Sequence, residues 1–294
     1  MVAEGRRELA AAVALILLAP AIAACNELVT SLVEQLGRLD CRTDAAVRAS
    51  DDRTAMVFVS DHVYQAAGEV DRDWYDTFLD QSRPKTYDDA NAYLDVRQVG
   101  VLVGLLRDEV TVNPAMAPVD VTSGGWPEGE SITVLTDAAQ AAPQFLHVHW
   151  SPSVTTVGLG GYGGGILPDT FWLGVIEGPG TRQRSESERR RAFAHELGHV
   201  LGLGHNSLAG NLMNGDVSGD DLASEQIADM RQSINERRAG WLVLSCRNDD
   251  SLREITRNHT GEEIVDAACE HSQRGTPQSR RQPPHPRHPE PACR

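Results

Sequence analysis

Apolar residues fall into two kinds of pattern along the chain, short runs typical of strands and longer stripes at helical spacing. The short runs, rich in Val, Leu, Ile and aromatic side chains, predict strands over residues 55–59, 131–135, 145–150 and 171–176. Helical patterns cover residues 26–50, 88–106, 185–202 and 224–238, with a break at Pro84 before the second of them. The sequence therefore predicts a mixture of helices and strands.

One helical stretch is marked at both ends. Ser185 and Glu188 form the Ser-x-x-Glu pattern of a capping box. Residues 189–194 contain neither proline nor glycine, and an apolar stripe at helical spacing follows. Gly202 can take a backbone conformation closed to other residues and can end a helix. We expect a helix of about four turns that stops at this glycine.

The same stretch carries three histidines and a glutamate. Residues 195–205 follow the pattern His-Glu-x-x-His-x-x-Gly-x-x-His. His195 and His199, four residues apart on a helix, lie on one face and can bind one ion. A turn at the glycine can return His205 as a third ligand, and zinc then keeps a fourth tetrahedral position for water. Glu196 flanks the metal without binding it.

The segment 194–205 resembles the zinc-binding helix of metzincin metallopeptidases, and most of all that of the matrixin branch. Metzincins also carry a Met-turn after the third histidine. Here Met213, in Asn-Leu-Met, follows His205 by eight residues, a spacing similar to that of matrixins. In the family this methionine forms an apolar floor under the zinc ligands and does not bind the metal. The other interpretation is that Leu212 and Met213 are an ordinary apolar pair in a loop.

Three features depart from the family pattern. Asn214 and Gly215 follow the methionine, where matrixins have a proline at the second place. The tyrosine that astacins and serralysins place near the metal is missing, and so is a Pro-Arg-Cys-Gly-type cysteine switch. Cys41 is then either a latency thiol or, more in keeping with the other cysteines, part of a disulfide. The resemblance indicates the clan rather than a particular enzyme.

The resemblance implies an α+β fold of metzincin or zincin-like type, a twisted mixed β-sheet with a zinc-binding active-site helix and a C-terminal helix. Substrate peptides would pair with an exposed edge strand, placed by the family order near residues 154–159. We expect a signal peptide over residues 1–24, a tether or start of the fold over 25–54, a catalytic domain over 55–246 and a C-terminal extension with a Pro/Arg-rich tail over 247–294.

The N-terminus carries an export signal. Two arginines precede an uncharged apolar run over residues 9–24, which is short for a membrane span and fits a signal peptide. The run ends in Ile-Ala-Ala-Cys, which resembles a bacterial lipobox with Cys25 as the lipidated residue. Residues 21–23, Ala-Ile-Ala, also fit an ordinary cleavage site. The sequence predicts an exported protein, either a cell-surface lipoprotein held to the membrane through Cys25 or a secreted one.

The cysteine count and the net charge bear on the disulfides, on the kind of metal site and on the class of partner. If Cys25 carries a lipid, four cysteines remain, namely Cys41, Cys246, Cys269 and Cys293. They can form two disulfides in any of three pairings. None of them has C-x-x-C spacing, which argues against a cysteine zinc site. The net charge of −15 argues against a nucleic-acid partner, because such proteins need a basic surface.

Two further motifs leave alternatives open. The glycine-rich run over residues 158–165 lacks the ending of a phosphate loop. It is either a connector or a flexible loop at the cleft rim, in which Tyr162 contacts substrate. His147 and His149 alternate and face one side of a strand. They are either core or surface histidines or part of a second, structural metal site.

Together these features predict an exported zinc-dependent metalloendopeptidase with one catalytic Zn²⁺ and a peptide or protein substrate. His195, His199 and His205 are the expected ligands. Glu196 is the expected general base, which takes a proton from the attacking water and delivers it to the leaving amine. The alternative is a surface binding or adhesion module that contains zinc without turnover, and an intact Glu196 argues against it.

Overall fold

The computed structural model describes residues 30–43, 47–64, 72–106, 111–113, 130–153, 161–164, 167–177, 182–215, 219–236, 241–247 and 249–274. Within this part of the chain, strands assemble into one mixed sheet. They are β1 (Thr54–Tyr64), β2 (Val101–Leu105), β3 (Thr111–Asn113), β4 (Leu146–Ser153), β5 (Gly161–Gly164), β6 (Leu167–Glu177), β7 (Arg182–Gln183) and β8 (Val243–Cys246).

The sheet is mainly parallel and runs in the order β2-β1-β4-β6-β5. Strand β1 is parallel to β2, β3 and β4 and antiparallel to β8. Strand β6 is parallel to β4, whereas β5 and β7 pair with β6 in antiparallel fashion. The unbroken apolar run at the start of β1 fits this central position, because such strands are buried on both faces.

The helices are α1 over residues 30–38, α2 (Arg72–Thr77), α3 (Arg83–Val96), α4 (Glu130–Ala141), α5 (Glu186–Val200), α6 (Ser224–Glu236), α7 (Asp249–Asn258) and α8 (Gly261–Arg274). A π-helical stretch, Phe78–Ser82, joins α2 to α3, and Pro84 lies in the first turn of α3. Three of the strands predicted from the sequence are confirmed within β1, β4 and β6. The predicted helices beginning near Ser185 and at Ser224 are confirmed as α5 and α6.

Two predicted elements are wrong, and a third is shorter than expected. The helical pattern over residues 26–50 gives helix α1 over residues 30–38, and the described residues 39–43 and 47–50 are not helical. Residues 131–135 were expected to form a strand, and they lie in helix α4. Their Thr and Val favour strands, but the Ala-rich sequence that follows favours a helix, which contacts β4 and β6. The helix expected over residues 88–106 stops at Val96, and strand β2 follows. Gln98 and Gly100 have φ values of 53° and 73°, which end the helix and turn the chain into the sheet.

Helix α5 is fixed on the sheet by an aromatic cluster. The buried Phe193 ring lies 4.9 Å from the ring of Tyr87 in α3, 5.1 Å from that of Phe171 in β6 and 6.3 Å from that of Trp150 in β4, between centroids. Such contacts bury large apolar areas and hold ring geometry. They set where the middle of α5 lies relative to the strands.

A buried carboxylate ties the same elements together. Asp61 in β1 forms an ion pair with Arg83, accepts from the Tyr87 hydroxyl at 2.9 Å and accepts from Trp150 Nε1 at 2.6 Å. Burial raises the pKa of Asp61, and the charge of Arg83 opposes that shift. The three donors satisfy a charge that would otherwise be costly to bury.

Residues from both ends of the described chain join one hydrophobic core. Leu32 and Leu36 of α1 belong to it, as do Leu252 and Ile255 of α7. A disulfide between Cys41 and Cys246 links segments 205 residues apart in the sequence. It is one of the pairings that the cysteine count allows. Among the described helices, none is both long and apolar enough to cross a membrane. The segments predicted as signal peptide, lipobox and Pro-rich tail lie outside the described residues.

Candidate metal centre

Helix α5 begins with the capping box that the sequence predicts. The Ser185 side chain accepts from the Glu188 backbone N–H, and the Glu188 carboxylate accepts from the Ser185 N–H at 2.8 Å. These two bonds satisfy donors that a helix start leaves unpaired. The start of the helix is therefore fixed by its own sequence.

The other end of α5 reverses the chain direction. Gly202 has a φ of 96°, and its N–H donates to the His199 carbonyl at 2.9 Å. The Leu203 N–H donates to the Gly198 carbonyl, also at 2.9 Å. This pair of bonds is a Schellman motif, which turns the chain back at a left-handed glycine. The reversal brings His205 to the face of the helix that carries the first two histidines.

The three predicted histidines meet at one point. One ring nitrogen from each of His195, His199 and His205 lies within 4.8 Å of the other two. Their ring centroids are 4.7 to 5.4 Å apart. His195 is buried and His205 is exposed, so the cluster is open to solvent on one side. In the part of the chain that the structure describes, this is the one His, Cys, Asp and Glu cluster with three such ligand atoms.

Hydrogen bonds settle which ring nitrogens carry protons. His195 Nδ1 lies 2.7 Å from the Leu212 carbonyl oxygen, and His199 Nδ1 lies 2.8 Å from that of Leu203. Because a carbonyl oxygen only accepts, each Nδ1 must carry the ring proton. In the neutral rings both Nε2 atoms are then unprotonated, and they face each other at 3.1 Å. Two facing lone pairs repel at this distance, and a metal cation bound between them would remove the repulsion.

The surroundings favour the neutral rings that metal binding needs. Burial lowers the pKa of His195 to about 4, and it also lowers the pKa of His199. Neutral imidazole is a preferred ligand of zinc, and carbonyl acceptors on the far nitrogens are the usual outer partners of such ligands. The donor set therefore fits a zinc ion bound by three imidazoles.

Glu196 lies next to this cluster and is buried, with 4% of its surface exposed. Among the described residues, none offers a hydrogen bond to its Oε2 atom. Burial raises the pKa of this carboxyl to about 8, and the charge of Arg184 opposes the shift. A cation on the histidines favours the ionised carboxylate. Glu196 follows His195 on α5, so a buried carboxylate oxygen without a hydrogen-bond partner belongs to the same helical turn as a histidine of the cluster.

Met213 packs directly beneath the helix. It is fully buried, and its sulfur lies where a side chain on Gly198 would begin, 2.6 Å from a Cβ placed there. Gly198 stands between the two helical ligands, so the methionine contacts the helix at the level of the site. The Met213 carbonyl accepts from the Asn206 N–H at 2.7 Å, which closes the loop after His205.

Sequence reasoning missed that His62 joins His147 and His149 in a second group of histidines. His62 in β1 stands opposite His149 in the parallel register with β4, and its ring stacks on that of His149 at 4.4 Å. His62 Nε2 lies 3.0 Å from His147 Nδ1, and His147 Nε2 lies 2.9 Å from the Ala142 carbonyl. His147 and His149 are both buried.

This second group differs from the first in its protons. His147 Nε2 donates to the Ala142 carbonyl, so its Nδ1 is free to accept from His62 Nε2. The close nitrogen pair is then an ordinary hydrogen bond and needs no cation. The three rings do not bring three ligand atoms together, in contrast to the cluster on α5.

Other predicted site features lie outside what the structure describes. Residues 154–159, predicted as the substrate strand, are outside it. Tyr162 belongs to β5, and its side chain is outside the described part. Strand β5 lies at the end of the sheet order, antiparallel to β6, and contacts α5.

The sequence matches no protein-family model and none of the curated proteins. Among solved structures, the fold is similar to that of metalloproteinase-II from Bacteroides fragilis, with a TM-score of 0.39 and 12% identity over 69% of this chain and 60% of that one. Archaemetzincin from Methanopyrus kandleri gives a TM-score of 0.37 and 12% identity over 62% of this chain and 97% of that one.

A zinc-dependent peptidase from Methanocorpusculum labreanum gives a TM-score of 0.37 and 14% identity, over 58% of this chain and 100% of that one. The sequence identity to each of these three proteins is 14% or less.

Proposed function

We propose that the chain is a zinc-dependent peptidase of metzincin type. The observation that carries the proposal is the pair of unprotonated Nε2 atoms of His195 and His199, which face each other at 3.1 Å with a nitrogen of His205 nearby. A metal cation bound between these nitrogens would remove the repulsion between their lone pairs. The buried carboxylate of Glu196 beside it supplies the second part of a hydrolytic site.

His195, His199 and His205 would hold one Zn²⁺. Zinc held by three imidazoles would act as a Lewis acid and would lower the pKa of a water bound to it to about 7. The backbone carbonyls of Leu212 and Leu203 keep two of the rings in the tautomer that leaves Nε2 free. Met213 would serve as the apolar floor that the family resemblance implies.

Glu196 would act as the general base and then as the general acid. Its unsatisfied Oε2 accepts a proton from the water that attacks the scissile carbonyl. The protonated carboxyl then donates to the leaving amine nitrogen as the C–N bond breaks.

A substrate peptide would bind at the edge of the sheet nearest the zinc helix. Strand β5 is antiparallel to its neighbour, ends the strand order and contacts α5, which supports this placement. An extended peptide can add to such an edge through its backbone. Because three of the four β5 residues are glycine, binding there would depend on the main chain more than on side chains.

We also propose that the protein is exported, with a lipid on Cys25 as the first alternative and plain secretion as the second. The signal-like N-terminus carries this proposal, and a disulfide between Cys41 and Cys246 fits an oxidising compartment. Labelling cells with a fatty-acid analogue tests it. Label on the wild type but not on Cys25→Ala supports the lipoprotein, and an unlabelled protein cleaved after Ala23 or Ala24 contradicts it.

Zinc content and peptide cleavage test the enzyme. Purified protein should hold about one zinc per chain and cleave members of a mixed peptide library, and a chelator should abolish cleavage until zinc is restored. His205→Ala should weaken zinc binding sharply, because two ligands remain. A zinc-loaded wild type that cleaves nothing in a broad library supports the binding module instead.

A further inference from the structure

Two buried amide side chains join the segment around Met213 to helix α6. Asn211 is 5% exposed and Gln226, in the first turn of α6, is 8% exposed. Asn211 Nδ2 donates to Gln226 Oε1 at 2.7 Å, and Gln226 Nε2 donates back to Asn211 Oδ1 at 3.2 Å. A reciprocal pair of this kind fixes both amide planes, because each side chain both donates and accepts.

Each of the two amide oxygens also accepts a hydrogen bond from a backbone N–H group. Gln226 Oε1 accepts from the Ala223 N–H at 2.9 Å, which fixes the side chain to the start of α6. Asn211 Oδ1 accepts from the Met213 N–H at 2.9 Å, which fixes the other end to the turn. The pair therefore connects α6 to residues 211–213 through buried hydrogen bonds.

That turn contacts the candidate zinc site in two ways. The Leu212 carbonyl accepts from His195 Nδ1 at 2.7 Å, and the Met213 sulfur packs against Gly198. The carbonyl determines both the tautomer and the orientation of the His195 ring. A small rotation of the peptide group between Leu212 and Met213 would therefore move His195 Nε2, the proposed ligand atom.

We infer that Gln226 is a positioning residue for the metal centre, which acts through Asn211 and the Leu212 carbonyl on the ring of His195. The inference rests on the proposed function, since it concerns the ligands of the proposed zinc ion. Outer partners of metal-binding histidines typically contribute 10- to 100-fold to metal affinity. Loss of the Gln226 amide should weaken zinc affinity by a factor in this range, although the residue touches none of the metal ligands.

The test compares Gln226→Met with Gln232→Met. Methionine keeps the length of glutamine and removes every hydrogen bond, and Gln232 is an exposed glutamine on the same helix that bonds only Glu236 in the described part of the chain. Zinc affinity is measured by competition with a chelator, and the free energy of unfolding is measured on the metal-free proteins. A purely structural role would lower the unfolding free energy and leave the zinc affinity of the folded protein unchanged.

We expect Gln226→Met to weaken zinc binding about 10- to 100-fold and Gln232→Met to leave it unchanged. Gln226→Glu gives a second reading if the methionine variant does not fold. It keeps both acceptor bonds but places a carboxylate oxygen opposite Asn211 Oδ1, so its affinity should also fall. Wild-type affinity in a folded position-226 variant overturns the inference alone, whereas a wild type that takes up no zinc overturns the proposed function as well.

Discussion

The sulfur of Met213 occupies the space in which a side chain at Gly198 would lie. A Cβ at that position would stand 2.6 Å from Met213 Sδ and 3.2 Å from its Cε. Met213 is fully buried, so it cannot swing into solvent to make room. The glycine between the two helical ligands thus allows the methionine to reach the helix at the level of the site.

Gly198→Ala should therefore destabilise the protein. Alanine is normally favoured over glycine inside a helix by about 1 kcal/mol, but overpacking a core costs about 1–3 kcal/mol. Displacement of Met213 should also weaken zinc binding, because the turn that holds Leu212 moves with it. Denaturant unfolding and chelator competition measure the two effects.

Gly37 provides the matched control. It lies in α1, and a Cβ placed there meets nothing within 4 Å. Gly37→Ala should leave zinc affinity unchanged and keep or slightly raise the unfolding free energy. An unfolding free energy for Gly198→Ala at or above that of the wild type would contradict the packing described here.

The disulfide should contribute strongly to stability. Cys41 and Cys246 join segments 205 residues apart, and closing so long a loop restricts the unfolded chain. Replacing both cysteines by serine should lower the unfolding free energy by about 2–5 kcal/mol. Wild type in excess reductant should approach the double variant. Equal stability of oxidised wild type and variant would show that the bond contributes nothing.

The three histidines on β1 and β4 should make the protein sensitive to acid. Burial, followed by the nearby charge of His147, lowers the pKa of His62 from its ordinary value of 6.5 to about 4. A His with a lowered folded pKa contributes stability that is complete above pH 6.5 and is lost as the pH falls towards 4. The stacked rings of His147 and His149, both with lowered pKa values, act in the same direction.

His62→Gln should remove the part of this acid sensitivity that belongs to His62. The loss of unfolding free energy between pH 6.5 and 4 should shrink by about 3 kcal/mol, because glutamine does not titrate. His259→Gln, outside the cluster, serves as the control. Parallel curves of unfolding free energy against pH for wild type and His62→Gln would contradict the account.

Local patterns were enough to predict the central part of the site. The cap at Ser185, the four-residue spacing of two histidines and the glycine that ends the helix are all properties of neighbouring residues, and the structure has them as expected. The position of His205 follows from the Schellman turn, which the left-handed conformation of Gly202 allows. Spacing along a helix is fixed by geometry, so such predictions need no tertiary information.

The parts that the sequence did not reveal depend on distant residues. Nothing near His62 indicates His147 and His149, because the parallel pairing of β1 with β4 brings them together. Gln226 is one of two glutamines in α6, and its role appears only when Asn211 is seen opposite it. Residues 131–135 have strand propensity, yet they lie in helix α4, which the Ala-rich sequence after them favours.

The most direct measurement is peptide hydrolysis by Glu196→Ala, with zinc content measured in parallel. Glu186→Ala is the control, an exposed glutamate at the start of the same helix. The glutamate at 196 touches no described hydrogen-bond donor through Oε2, so its loss should leave about one zinc per chain and a folded protein. Hydrolysis should fall at least about 10²- to 10⁴-fold relative to wild type and to Glu186→Ala. A Glu196→Ala protein that holds zinc and cleaves peptides as fast as the wild type would contradict the central claim.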